Sequence, residues 1–547
     1  MRKLHLAIFA ISLCFTTHLK SAAEGTTKRP KLAVVIVVDQ MRADHLTRFE
    51  KEYKYGFARL RREGAVFTDA HQYHAFTVTA AGHASIGTGV FPAKHGVVGN
   101  SWFDIEENER VYCSDDSDHP LIGSTDGDTG RSPKRMRTKG LGDWLKEANK
   151  GSKVFGVSRK DRGAIMPAGM KPDGAFWYNA KKGQMVTSQY YYSKYPGWVD
   201  AFNGAKGLDK YFEEGWKRLK PEQLYLTLGR KDDFAAEADG KNNVFPHSFT
   251  ATSSKPDAKY YSKIQGTPFI DDYILQFSRA LIENEELGKD DAPDILFIGC
   301  SAADAIGHTF GPMSQESMDH FLRLDQYLGT FLDYLDERVG KENYVVALSS
   351  DHGVLPLPEH LQKNGSDAQR VSLKETKKLL HSALKKVVNK LGVAENLVKQ
   401  NGYSLIVDYH LAARKGISRK DVNHAIVEEL KHLPMLEDVI IAEELALRSD
   451  EMAVLYKNSY FPSRTGDLFL RYKKQYLLSD RSGGTSHGSP YRYDTHVPIL
   501  FSGPGIESGI FPKKIRTVDI APTLAQLLGI KFPDYVDGES LVGIISK

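Results

Sequence analysis

Apolar residues gather along the chain in short, β-branched runs: Leu32 to Val38, Val154 to Val157, Ile295 to Ile298, Tyr344 to Leu348 and Val497 to Phe501. None alternates with polar residues, as a strand with one wet face would, so the runs suit parallel strands buried on both faces. Between them the apolar positions take a helical spacing, in Ile270 to Leu287, Ser314 to Val339 and Asp519 to Leu528. The last has Asp519 as N-cap, Pro522 in its first turn and Gly529 as its stop. This succession predicts an α/β fold, with a largely parallel central sheet and helices on both faces.

Two stretches break the pattern. Residues 164–260, rich in Tyr, Trp, Gly and Lys without a clear period, read as a loop-rich aromatic insertion. Residues 356–480 carry basic amphipathic helices near 371–391 and 418–432 with short strands between them. They read as a compact α+β insertion whose lysines are solvated helix faces rather than a nucleic-acid surface.

Composition changes the picture chiefly at the N-terminus. Over 547 residues, 41% hydrophobic and 26% charged is an ordinary globular balance, which excludes disordered, collagenous and coiled-coil chains. Arg2 and Lys3 precede an apolar stretch from Leu4 to Thr16, and the small residues Ser21, Ala22 and Ala23 follow. Residues 1–23 therefore read as a cleaved signal that carries the protein across the inner membrane to the periplasm. The run is too short, and too interrupted by His5, for a membrane anchor. The net charge of +4 loses Arg2, Lys3 and Lys20 with that signal, leaving 70 basic residues against 69 acidic, a net +1. Such a balance calls for neither nucleic acid nor an anionic membrane. Cys14 also leaves with the signal, and Cys113 and Cys300 read as two unrelated buried thiols.

In open parallel sheets ligands collect beyond the carboxyl ends of the strands. The first strand ends in Asp39, the Ile295 run leads to Asp304 and His308, the Tyr344 run ends in Asp351 and His352, and His487 sits in the loop GGTSHGSP. Any one of these has a plain reading, an Asp as a helix cap or a His as a structural residue, but six together indicate metal. Asp304 and His308 stand one helical turn apart, and Gly353 allows a turn that brings both Asp351 and His352 to bear. Mixed imidazole and carboxylate donors favour zinc over magnesium or calcium.

A second group is FTVTAAGHASIGTGVFPAKHGVVGN, Phe76 to Asn100, in which Thr79 opens a helix of small residues. A hydroxyl there meets free backbone N–H groups suited to a tetrahedral anion, although taken alone it would be only a cap. His83 and His95 read as structural, since the metal set is complete without them. Third, Lys160 and Arg162 follow the Val154 run and offer a point charge and a planar fork for phosphoryl oxygens, with Asp161 turned away.

The strings VVDQMRAD, Thr79 through Asn100, SRKDRGAI, SAADAIGHTFGP, SSDHG and the His487 loop followed by YDTHVPILFSGPG resemble the alkaline phosphatase superfamily, and within it the PafA-type phosphate-irrepressible alkaline phosphatases. The resemblance runs in family order from residue 33 to 530. It implies Thr79 as nucleophile, with Asp39, Asp351 and His352 on the adjacent zinc and Asp304, His308 and His487 on a second. Asn100, Lys160 and Arg162 would meet the nonbridging phosphoryl oxygens. It also implies two zinc ions, no magnesium site, because Lys160 stands where three-metal relatives hold that ion, and hydrolysis of small-molecule phosphate monoesters with broad leaving-group tolerance.

A nucleotide pyrophosphatase/phosphodiesterase would share the threonine, the Asn100 equivalent and the metal set, but has no evident use for SRKDRGAI. A sulfatase needs a C/S-x-P-x-R segment that TVTAAGH lacks, and a non-catalytic zinc- or phosphate-binding protein has no need of Thr79 with Lys160 and Arg162. Because residues from Asp39 to His487 must converge on one sheet edge, residues 24–547 read as a single catalytic domain, and the insertions favour a monomer.

Overall fold

Strand β1 (Leu32–Val38) is buried along its whole length, and its side chains divide by parity. Leu32, Val34, Ile36 and Val38 join one hydrophobic cluster, while Ala33, Val35 and Val37 join another on the opposite face. That division explains a continuous apolar run, because a strand with two dry faces has no polar side to show. The computed structural model describes residues 29–546 apart from 124–128 and 252–253, so the signal expected at 1–23 lies outside the described residues.

Eight further strands complete the central sheet: β2 (Ala65–His71), β3 (Val154–Ser158), β4 (Gly174–Asn179), β5 (Gln184–Val186), β6 (Asp294–Cys300), β7 (Tyr344–Ser349), β8 (His496–Ser502) and β9 (Gly509–Arg516). Their spatial order is β9-β2-β8-β7-β1-β6-β3-β4-β5. All run the same way except β5 and β8, so the sheet is largely parallel, as expected. The run Val497 to Phe501, expected as a parallel strand, is antiparallel to both neighbours. Apolar composition reports burial, not direction.

One face is covered by the helices Phe269–Asn284 and Gln315–Arg338, the latter N-capped by the Ser314 hydroxyl, which accepts from Ser317 N–H. Ile520–Leu527 lies on the other face. Three helices matter to the site: α1 (Thr79–Thr88), α2 (Asp161–Ala168) and α3 (Ala302–Phe310).

The stretch 164–260 differs from expectation at its start. Most of α2 and all of β4 and β5 fall inside it, the two strands forming the sheet edge, so the irregular chain begins only after Val186. The sequence GAFWYN is buried almost throughout, like the other strands, but its aromatic rather than β-branched composition hides it. Beyond it, Val199, Phe212, Trp216 and Phe249 pack into the main cluster rather than forming a core of their own.

Residues 398–472 hold a separate four-stranded antiparallel sheet, Val398–Asn401, Ser404–Val407, Leu468–Tyr472 and Leu436–Ile441 in spatial order. The helices Leu373–Leu391 and Arg419–Leu430 pack on it over a cluster that includes Leu380, Val387, Val422, Ile426 and Leu468. Lys374, Lys377, Lys378, Lys385, Lys386 and Lys390 all point to solvent. Cys113 and Cys300 are buried free thiols.

Candidate active site and metal centre

Four adjacent parallel strands, β7, β1, β6 and β3, end at one edge of the sheet. The chain leaving them carries Asp351 and His352, Asp39, Asp304 and His308, and Lys160 and Arg162 respectively. His487 joins them from the loop before β8. One ligand atom from each of Asp39, Asp351 and His352 lies within 4.8 Å of the others, and the same holds for Asp304, His308 and His487.

The three imidazoles are set alike. His308 Nδ1 bonds the Thr485 carbonyl at 2.8 Å, His487 Nδ1 that of Thr77 at 2.7 Å and His352 Nδ1 that of Gly353 at 2.9 Å. A backbone oxygen accepts only a proton, so each ring carries its hydrogen on Nδ1 and presents an Nε2 lone pair inward. His308 Nε2 and His487 Nε2 face Asp304 Oδ1 at 3.3 and 3.6 Å, and His352 Nε2 faces Asp39 Oδ1 at 3.5 Å. Asp39 Oδ1 and His352 Nε2 are buried without a hydrogen-bond partner. Burial, then the nearby carboxylates of Asp304 and Asp351, pushes the Asp39 carboxyl above its ordinary range. Lone pairs and carboxylates turned together in a dry site fit divalent cations, and their donor types fit zinc.

Thr79 is the first residue of α1 and does not cap it: Val78 is the N-cap, without a side-chain bond, and Asn100 Oδ1 accepts the Ala80 N–H at 2.9 Å instead. The Thr79 hydroxyl is thereby left for Lys160, whose Nζ donates to it at 3.1 Å. The same Nζ lies 2.6 Å from Asp39 Oδ2 and 2.7 Å from Asp304 Oδ2. The Arg162 guanidinium donates to Tyr112 Oη at 2.9 Å. Asp161 is indeed turned aside, accepting from Tyr112, Ser114 and Arg131.

Sequence reasoning passed over Gln40. It is buried with φ +68°, a left-handed conformation costly for a side chain. Its backbone N–H donates to Asp351 Oδ1 at 3.1 Å and its Nε2 to Asp304 Oδ1 at 3.0 Å, so one residue ties together carboxylates of both groups that could hold a metal ion. His83, read as structural, has Nδ1 3.0 Å from the Thr79 carbonyl and 3.2 Å from Asp351 Oδ2. His95 bonds Ser85 and Val97 N–H and stays outside the site. No local pattern marks Gln40 or His83; the close packing shows only in the fold, where a Cβ on Gly82 would overlap the Asp351 carbonyl and one on Gly307 the Gln40 side chain.

Residues 33–491 match the type I phosphodiesterase / nucleotide pyrophosphatase family. The chain belongs to that family. The chain is also 35% identical over 527 residues to alkaline phosphatase PafA of Elizabethkingia meningoseptica, covering 95% of each. It is 34% identical to alkaline phosphatase PhoV of Synechococcus elongatus, covering 95% of this chain and 94% of that one. The crystal structure of PafA superposes with a TM-score of 0.87, at 34% identity, over 95% of this chain and 99% of that one. The fold and the expected resemblance to PafA-type members of the family therefore hold over nearly the whole chain.

Proposed function

We propose that the chain hydrolyses phosphate monoesters through Thr79, with Asp39, Asp351 and His352 holding one zinc ion, Asp304, His308 and His487 a second, and no magnesium site. The observation that carries this reading is the position of Lys160 Nζ, within 3.1 Å of the Thr79 hydroxyl and within 2.7 Å of a carboxylate from each ligand set. A hydroxyl, a cation and both ligand sets thus meet at one point. The family relatives named as alkaline phosphatases support the monoesterase class.

When bound, zinc supplies Lewis-acid charge to an attacking and a departing oxygen. Thr79 Oγ1 gives up its proton to solvent and bonds to phosphorus as the P–O bond to the ester oxygen breaks and that oxygen leaves as the alcohol, protonated from solvent; water then cleaves the phosphothreonine, restoring the Thr79 hydroxyl and freeing phosphate. Lys160, Arg162 and Asn100 hold the nonbridging oxygens, and positioning and charge dominate because phosphoryl transfer asks little covalent help of the protein. A monoester dianion offers those cations one more charged oxygen than a diester, which sets the preference away from the diesterase members of the family.

Residues 1–23 act in this reading as a secretion signal and 24–547 as one monomeric catalytic domain working in the periplasm on varied small-molecule monoesters. Among the described residues no helix is long and apolar enough to cross a membrane. Acid-quenching the enzyme during turnover and mapping phosphorylated peptides tests the chemistry. Phosphate is expected on Thr79; a phosphate-free Thr79, with full turnover in Thr79→Ala, would overturn it.

A further inference from the structure

Beside the catalytic edge, β2 and β8 carry another group of donors. His71, the last residue of β2, stands directly opposite His496, the first residue of β8, and their rings stack at 5.0 Å and 22°. Asp69 lies two residues before His71, so the strand pleat turns it to the same face. One ligand atom from each of the three lies within 4.8 Å of the others.

A guanidinium holds them at present. Arg492 NH1 is 3.1 Å from Asp69 Oδ1 and 3.2 Å from His71 Nε2, and NH2 is 3.4 Å from His496 Nε2. The fit is imperfect, because each Nε2 also faces an oxygen acceptor at 2.9 Å, Asp69 Oδ1 for His71 and the Thr68 carbonyl for His496. A neutral ring nitrogen carries either a proton or a lone pair, so an incoming metal requires each ring to move its proton to Nδ1 and to give up its Nε2 bond to the oxygen.

We propose that Asp69, His71 and His496 form a further metal-binding site, for a divalent ion of the zinc type, in which Arg492 keeps the position until the metal displaces it. Two imidazoles and one carboxylate, with water as fourth ligand, are a zinc donor set and a poor one for magnesium or calcium. The frame is rigid where it must be: the His71 side chain is 9% exposed and locked by strand pairing, whereas Arg492 is 62% exposed and can swing into water. Burial holds both imidazoles below their ordinary range, so they are neutral ligands at pH ~7. Lys514, opposite Asp69 on β9, is engaged by Glu451 at 2.7 Å, which leaves Arg492 as the competing cation.

The test is calorimetric titration of Zn2+ into the purified enzyme with its catalytic metals in place. The wild type should take up one further equivalent. Asp69→Asn and His496→Gln should each weaken it at least about tenfold, while Arg492→Ala, which removes the competitor, should tighten it severalfold. Turnover of an aryl phosphate and the melting temperature before titration report that each variant is folded. The proposal falls if the wild type binds no further equivalent, if binding survives both ligand substitutions unchanged, or if Arg492→Ala brings no gain.

Discussion

Lys160, the extended residue before α2, and Thr79, the first residue of α1, meet at 3.1 Å, and the proposed chemistry rests on that contact. Removing the hydroxyl in Thr79→Ala should lower monoester kcat by at least about 10³-fold, read in steady-state assays with zinc present. Arg162→Ala should cost monoesters about 10²-fold or more in kcat/KM and diesters far less, because only the dianion presents the additional charged oxygen. Equal losses would remove Arg162 from the specificity argument. Gln40 makes a prediction of its own. Gln40→Ala deletes the bond to Asp304 and should weaken metal retention by about 10- to 100-fold, measured as loss of activity against a chelator. The ten proposed site residues stand out in the sequence because each is a chemically loaded side chain just beyond an apolar run or in a motif of the family resemblance. Gln40 and His83 could not, since their importance lies in a φ of +68° and in contacts with residues hundreds of positions away.

At the scale of elements, burial explains both what was legible and what was not. Strands β1, β3, β6 and β7 are continuous apolar runs because both faces are covered. Strand β4 is equally buried, but its aromatic sequence GAFWYN looks like neither strand nor helix by period alone. The direction of β8 and its place between β2 and β7 depend on pairing partners that no local pattern encodes. Helix α1 shows how an element transmits position to the site: it lies so close to Asp351 that only glycine fits at residue 82. Gly82→Ala should therefore cost about 1–3 kcal/mol in denaturant unfolding and lower activity as well, because the strain falls on a ligand-bearing backbone. An unchanged midpoint and rate would show that the contact is loose.

Across the whole molecule, the segment after β5 is joined to the sheet body by buried polar contacts as well as aromatic packing. Glu316, at the start of the helix Gln315–Arg338, meets His247 Nε2 at 2.9 Å, and burial followed by the Asp232 carboxylate pushes its carboxyl up to about 8. An unfolded glutamate titrates near ~4.3. The protonated form's contribution to stability is thus complete below that value and is lost as pH rises through about 8. Thermal unfolding from pH ~5 to ~9 should show a decline that Glu316→Gln partly flattens; an identical slope in both proteins would place the pH dependence elsewhere.

The convergence of four strands on Thr79, Lys160 and two ligand sets is, in this reading, a machine for dianions. The most direct check is the ratio of kcat/KM for an aryl phosphate monoester to that for the matching diester, measured on the zinc-loaded wild type. A ratio well above unity that collapses in Arg162→Ala is the expected result. A diester turned over faster than the monoester would contradict it.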